Sequence, residues 1–410
     1  MITYDEAKSI VVAAGSAYAL KTEMVATADI VGHVCAKDID APISVQPFDN
    51  SAMDGFAVRY DDVSQVDENS SVTLKRVMVI AAGDSVPEVG IKSGECAQIM
   101  TGAPMPAGAD SVVPVECVSM DDGEITFAQV VIQGSHVRKA GEDFQKGAAV
   151  LKRGDVLGAQ HIMALATLGV SEVEVFRKPR VASITTGKEL VDDLSKDLQS
   201  GKIYNSNGPY IKEALIAFGA EVISCGTVAD DLDVFQGKLK CIMKNDVDIV
   251  ISTGAVSAGA FDFVKEALEN IGAEILFHKV LARPGKPILC AKLPNGTLYF
   301  GLPGNPAASS VGLRFFVAAA MRAMRSQEAE KPQYAKLMTP FAKKEGWRMF
   351  LKAKTESWDD GLMTVDLFAG QASFMVSPFL QMNCWAVGKE TESALKAGDI
   401  IEIYPLYPDA

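Results

Sequence analysis

Between residues 179 and 324 short apolar runs alternate with amphipathic ones, and this alternation restricts the fold more than any other feature of the chain. Residues 181–184, 221–225, 247–251, 288–292 and 298–300 read as strands. Helix-start signals fall between them: Ser206 or Asn207 opens a helix that stops at Gly219, and Asp233 caps the next. Asp262 opens a third, with Phe263, Ala267, Leu268 and Ile271 on one face, and Asn305-Pro306 opens a long fourth in the N-cap and N1 manner. A chain written this way predicts a mostly parallel sheet with helices on both faces.

The flanks have another texture. Thr3 and Glu6 form a capping-box pattern, so a helix is expected from Tyr4 to about Leu20. From 26 to 177 Val/Ile runs (72–80, 111–118, 125–132) are broken by Gly, Pro and Asp, which predicts antiparallel β structure, interrupted by a helix near 158–168. Beyond 331, runs at 350–355, 362–367 and 399–404 predict a small β domain. With 410 residues, at about 150 per domain, two to four domains are expected.

Charge and cysteine usage narrow the function. A net charge of −13 lacks the basic face of a nucleic-acid binder, yet leaves room for a small anion held by local cations. Seven cysteines without a CxxC pair suit a reducing cytosol, and four scattered histidines make no zinc helix. The apolar run 10–20 lacks a basic leader, with Asp5 and Glu6 in its place. Residues 367–388 carry no charge, but Gln371, Pro378, Gln381 and Asn383 interrupt them, so buried strands and a turn are expected rather than a membrane span. A cytoplasmic protein without membrane or nucleic-acid partners is predicted.

Ligands of parallel α/β sheets collect beyond the carboxyl ends of the strands. Four polar or Gly-rich segments fall there: 185–189 (TTGKE), 226–231, 252–259 (STGAVSAG) and 301–305 (GLPGN). The third precedes a helix and offers N–H groups to a phosphate. Ala260-Phe261 stand where a Walker loop needs Lys-Ser/Thr, so that reading is rejected. The segment 283–287 (RPGKP) sets two cations in a proline-stiffened turn, suited to an oxyanion. In the first β region 50–59 (NSAMDGFAVR), 100–104 (MTGAP) and 138–143 (RKAGED) are turn-like. Carboxylates beside a phosphate pocket suggest Mg²⁺.

None of these segments is decisive alone, but their ordered series, with FDFVK after the STGAVSAG loop and GLPGNP after RPGKP, resembles the molybdopterin molybdenumtransferase family (MoeA and the E domain of gephyrin) over nearly the whole chain. The resemblance implies a multi-domain α/β plus β fold. A central α/β domain, mostly parallel and like molybdopterin adenylyltransferase (1–26 and 178–327), is joined to a linker and dimerisation domain (27–45 and 144–177), a β-rich second domain (46–143) and a C-terminal β domain (328–410). It implies a homodimer whose cleft lies between the α/β domain of one subunit and the second domain of the other. The reaction it implies is insertion of molybdate into adenylyl-molybdopterin with release of AMP, assisted by Mg²⁺, with the molybdopterin adenylyltransferase as partner.

Position by position, the resemblance implies catalytic roles for Asp54, Thr101, Asp143, Glu189, Asp230 and Asp262, with Glu189 and Asp230 as metal ligands. It implies substrate contacts from Ser252, Thr253, Gly254, Ser257, Pro303 and Asn305, and molybdate contacts from Arg283, Lys286, Pro287 and Arg348. The chain departs from the family pattern at Ala255 (usually Gly), Arg283 (often Lys), Ala308 (usually Ser, with Ser309 displaced by one) and 371–374 (QASF, usually Ser-rich). These departures motivate an alternative, a diverged non-catalytic scaffold that binds pterin nucleotides.

Overall fold

The structure, a computed structural model, describes residues 1–255, 263–357 and 361–408. At its centre is a six-stranded sheet in the order Glu221–Val228, Arg180–Thr186, Ile249–Thr253, Leu298–Leu302, Leu289–Lys292, Glu274–His278. The first four strands are parallel to one another. Leu289–Lys292 alone is reversed, antiparallel to both its neighbours, so Glu274–His278 again runs with the first four and the sheet is mixed but mostly parallel, as expected. The connection between Lys292 and Leu298 is too short for a crossover helix, so it folds as a hairpin.

Side chains alternate across this sheet as the pleat requires. Val181, Ile249, Ile251, Leu298 and Phe300 face one core with Val11, Ile211, Leu215, Val311 and Phe316. Ala182, Ile184, Val250 and Tyr299 face another with Phe235, Leu239, Val264 and Leu268. Helices Tyr4–Ser16, Asn207–Ala217 and Pro306–Gly312 cover the first face; Leu232–Ile242 and Phe263–Asn270 cover the second. The helix opened by Asn305 and Pro306 continues through a π-helical stretch, Leu313–Val317, into Ala318–Met324.

The capping box at Thr3 and Glu6 is present, though its helix stops at Ser16, short of Leu20. Asp231, not Asp233, caps Leu232–Ile242, accepting the Val234 N–H at 2.9 Å. The helix Asn207–Ala217 gains its first-turn acceptor from Asn205, whose Oδ1 takes the Gly208 N–H at 2.9 Å.

In the first β region a six-stranded sheet runs Ser111–Pro114, Gly55–Val58, Glu95–Ile99, Val72–Ile80, Glu124–Phe127, Val118–Asp121. Val72–Ile80 and Glu95–Ile99 are parallel, which corrects the antiparallel expectation at that one junction. Near the C-terminus Arg348–Ser357, Met363–Leu367, Gln333–Leu337, Ile400–Pro405 and Cys384–Gly388 pair in that order, and the last pairs with the first. The strand Ala282–Arg283 leaves the α/β body to add to this sheet beside Arg348 and Met349. Among the described residues no helix is long and apolar enough to cross a membrane.

Candidate active site

The four parallel strands end on one edge, and their loops line a cleft of about 830 Å³. Thr186 to Glu189, Asp230, Thr253 to Ala255 and Gly304 to Pro306 form it, with Tyr204 to Asn207 contributed by the segment before the helix Asn207–Ala217. The backbone here approaches itself closely. Gly254 has φ 90°, and a Cβ there would lie 2.6 Å from the Thr186 carbonyl oxygen, so glycine is required on two counts. Ala255 follows at φ 48°, a left-handed conformation carried by a residue with a β-carbon.

Polar contacts hold the walls. The Asn205 amide donates to Thr185 Oγ1 at 3.0 Å and to Asp192 Oδ1 at 2.8 Å, tying the segment after residue 189 to the sheet. Asn207 Nδ2 donates to the Gly304 carbonyl at 2.7 Å and its Oδ1 accepts from Ser309 Oγ at 3.1 Å. Ser309 thus reaches the loop although position 308 is alanine. The Asp230 carboxylate accepts the Lys188 N–H at 3.0 Å. Glu189 folds its carboxylate over Gly187, where a Cβ would stand 2.8 Å from Oε1. Ser252 is fully buried and bonds Tyr299 OH, so it lies beneath the cleft rather than on its surface. Ser257 and Asp262 lie outside the described residues.

A second cleft, also of about 830 Å³, opens between the α/β body and the C-terminal sheet. The turn carrying Arg283, Lys286 and Pro287 forms one side, Pro303 and Asn305 the floor, and Lys343, Lys344 and Trp347 the other side. Among the described residues four cations and no carboxylate line it. Burial pushes the Lys343 ammonium below its usual range, and its Nζ donates to the Lys389 carbonyl at 2.5 Å. Lys286 Nζ lies 5.9 Å from the Trp347 ring centre. Asn305 and Phe374 line both clefts, so the two spaces meet there.

Arg348 does not line this second cleft. Its guanidinium bonds Glu390 at 2.8 Å and Asp5 at 3.1 Å and lies 4.6 Å from the Tyr4 ring centre. Its neighbours Trp347 and Met349 do line the cleft, as the alternation of a strand dictates. Sequence reasoning missed Lys343, Lys344, Trp347, Asn207 and Phe374. Adjacent lysines before a Gly-Trp pair were a faint signal for the first three.

Asp54, Thr101 and Asp143 belong to the first β region and line neither cleft. Asp54 Oδ1 accepts the Thr101 N–H at 2.7 Å and the Thr101 hydroxyl at 2.8 Å, and these bonds hold its carboxyl below the usual range. Asp143 is exposed, with its own N–H bonded to the Val45 carbonyl at 3.0 Å.

Comparison with known proteins decides the family. Residues 2–169 match the MoeA N-terminal region (domain I and II), 182–323 a probable molybdopterin binding domain, and 334–406 the MoeA C-terminal region (domain IV). A molybdopterin molybdenumtransferase of Synechococcus elongatus is 33% identical over 407 residues, covering 99% of this chain and 100% of its own length. The Haemophilus influenzae protein of the same name is 34% identical over 409 residues, covering 99% and 98%. The chain belongs to the molybdopterin molybdenumtransferase family. A crystal structure of a molybdopterin biosynthesis MoeA protein from Pyrococcus horikoshii superposes with a TM-score of 0.83 at 30% identity, covering 99% of each chain.

Among the described residues, no group of three or more His, Cys, Asp or Glu side chains is placed to hold a metal ion. Among the described residues, Glu189 and Asp230 are the two carboxylates on the cleft of the α/β body. That donor set fits Mg²⁺, which binds through one or two carboxylates and completes its shell with water and substrate phosphates.

Proposed function

We propose that the protein inserts molybdate into adenylyl-molybdopterin and releases AMP, acting as a homodimer on substrate delivered by the molybdopterin adenylyltransferase. The observation that carries this reading is the pair of joined clefts: among the described residues one has cations as its only charged lining, and the other is built on the carboxyl edge of the sheet. Molybdate is a tetrahedral dianion, and Arg283 and Lys286 on a stiff turn, with Lys343 and Lys344 opposite, stabilise such a charge with little loss of side-chain freedom. The Thr253–Gly254 backbone approaches the substrate phosphates, and Asn305 sits where the two spaces meet, with Pro303 on the lining of the second.

Glu189 and Asp230 would hold Mg²⁺, which when bound neutralises charge on the leaving phosphate. Asp54, Thr101 and Asp143 come from the partner subunit and close the cleft, excluding water from the anhydride being cleaved. The alternative of a non-catalytic scaffold gains no support from the altered positions: Ser309 still contacts the loop, and Arg283 retains its charge.

The test uses purified protein, adenylyl-molybdopterin and molybdate. AMP release that depends on molybdate is expected, and Lys286→Ala should reduce it at least a hundredfold without changing the thermal midpoint. Equal AMP release with and without molybdate would instead mark a hydrolase.

A further inference from the structure

We infer that Phe374 is a stacking platform for a fused nitrogen heterocycle of the substrate, at the junction of the two clefts. This rests on the proposed substrate, which carries a pterin and an adenine on either side of a pyrophosphate. The residue lies in the segment 371–374, one of the places where the chain departs from the family pattern.

Phe374 lines both clefts and is nevertheless 68% exposed. Its loop is held firmly on each side. Gln371 Oε1 accepts the Lys352 N–H at 2.9 Å, and Gln371 Nε2 donates to the Lys352 and Phe368 carbonyls at 2.9 and 2.8 Å. The buried Lys352 ammonium donates to the carbonyls of Ala372 and Met375, both at 3.0 Å. The Ala307 N–H, at the start of the long helix, donates to the Ser373 carbonyl at 3.0 Å. The backbone carrying an aromatic ring is thus fixed against both bodies that form the clefts, while the ring itself stands open between them. A flat apolar face positioned in advance, beside cations that hold phosphate or oxyanion, suits a planar base, because every such ring has a π-face to stack.

Full-length wild type, Phe374→Ala, Phe374→Tyr and Phe374→Trp are compared in molybdate-dependent AMP release with adenylyl-molybdopterin varied. For Phe374→Ala the KM for adenylyl-molybdopterin should rise about tenfold, as expected for loss of one base–aromatic stack, with kcat within about twofold. Tyr and Trp should restore it. Titrations with AMP and with 6-hydroxymethylpterin assign the ring: about tenfold weaker binding to Phe374→Ala is expected for one probe and unchanged binding for the other. An unchanged KM, a rise confined to the KM for molybdate, or a loss that Tyr and Trp do not rescue would each overturn the inference. Wild type that releases no AMP would sink the insertion reading alone, and the two titrations would still decide for or against stacking.

Discussion

Ala255 holds a β-carbon at φ 48° directly after Gly254 at 90°, where the family usually has two glycines. A left-handed L-residue costs roughly 1–2 kcal/mol, and glycine gives back part of that as chain entropy. Ala255→Gly should therefore raise stability by about 0.5–1 kcal/mol, read from the urea midpoint at constant m. A lower midpoint would show that the methyl group packs usefully. Thr101 acts on charge rather than strain. It holds the Asp54 carboxyl below the usual range through its N–H and its hydroxyl. A depressed carboxyl stays ionised until pH falls through its own pKa, so weakening its partners moves that loss to higher pH. Thr101→Val keeps the N–H bond and removes the hydroxyl bond. The acid limb of kcat/KM for AMP release should shift upward in pH, and an unmoved limb would mean that ionised Asp54 is not required.

At the scale of elements, the strand Ile249–Thr253 is anchored at its start by Asp248, which is 1% exposed. Asp248 accepts two guanidinium bonds from Arg177 at 2.6 and 2.9 Å, the Arg180 N–H at 2.7 Å and the Tyr18 hydroxyl at 2.7 Å. Asp248→Ala would leave Arg177 with only the more exposed Asp246 at 3.5 Å and strip the Arg180 N–H and the Tyr18 hydroxyl of their acceptor, and a loss of about 3 kcal/mol is expected in urea unfolding. Local signals made the elements legible: the Thr3–Glu6 box, the Asn305-Pro306 start and the apolar runs of the sheet all carry their cause within a few residues. Strand direction was less legible, since a buried run such as 289–292 reads alike in both orientations. The deciding fact was the short link to Leu298. The carboxyl-edge loops of the site were legible because parallel strands must place them together. Arg348 was not, because one step along a strand reverses the face, and Lys343, Lys344 and Phe374 arrive from a segment whose position depends on how two bodies pack.

At the scale of the molecule, the acidic wall is divided. Glu189 and Asp230 line the cleft of the α/β body, whereas Asp54, Thr101 and Asp143 of the same chain line neither cleft. A two-fold dimer resolves this if each cleft takes its second wall from the other copy. The consequence is a complementation test. Asp54→Ala and Lys286→Ala should each be inactive alone. In a mixed dimer, the α/β body of the Asp54→Ala copy meets the intact β wall of the Lys286→Ala copy, and one complete site forms while the other holds both defects. Equal mixing after unfolding and refolding makes half the dimers mixed, so about a quarter of wild-type AMP release should return. The recovered rate should vanish when one variant carries both substitutions. If no activity returns although mixed dimers are isolated by two different affinity tags, both walls must come from one chain.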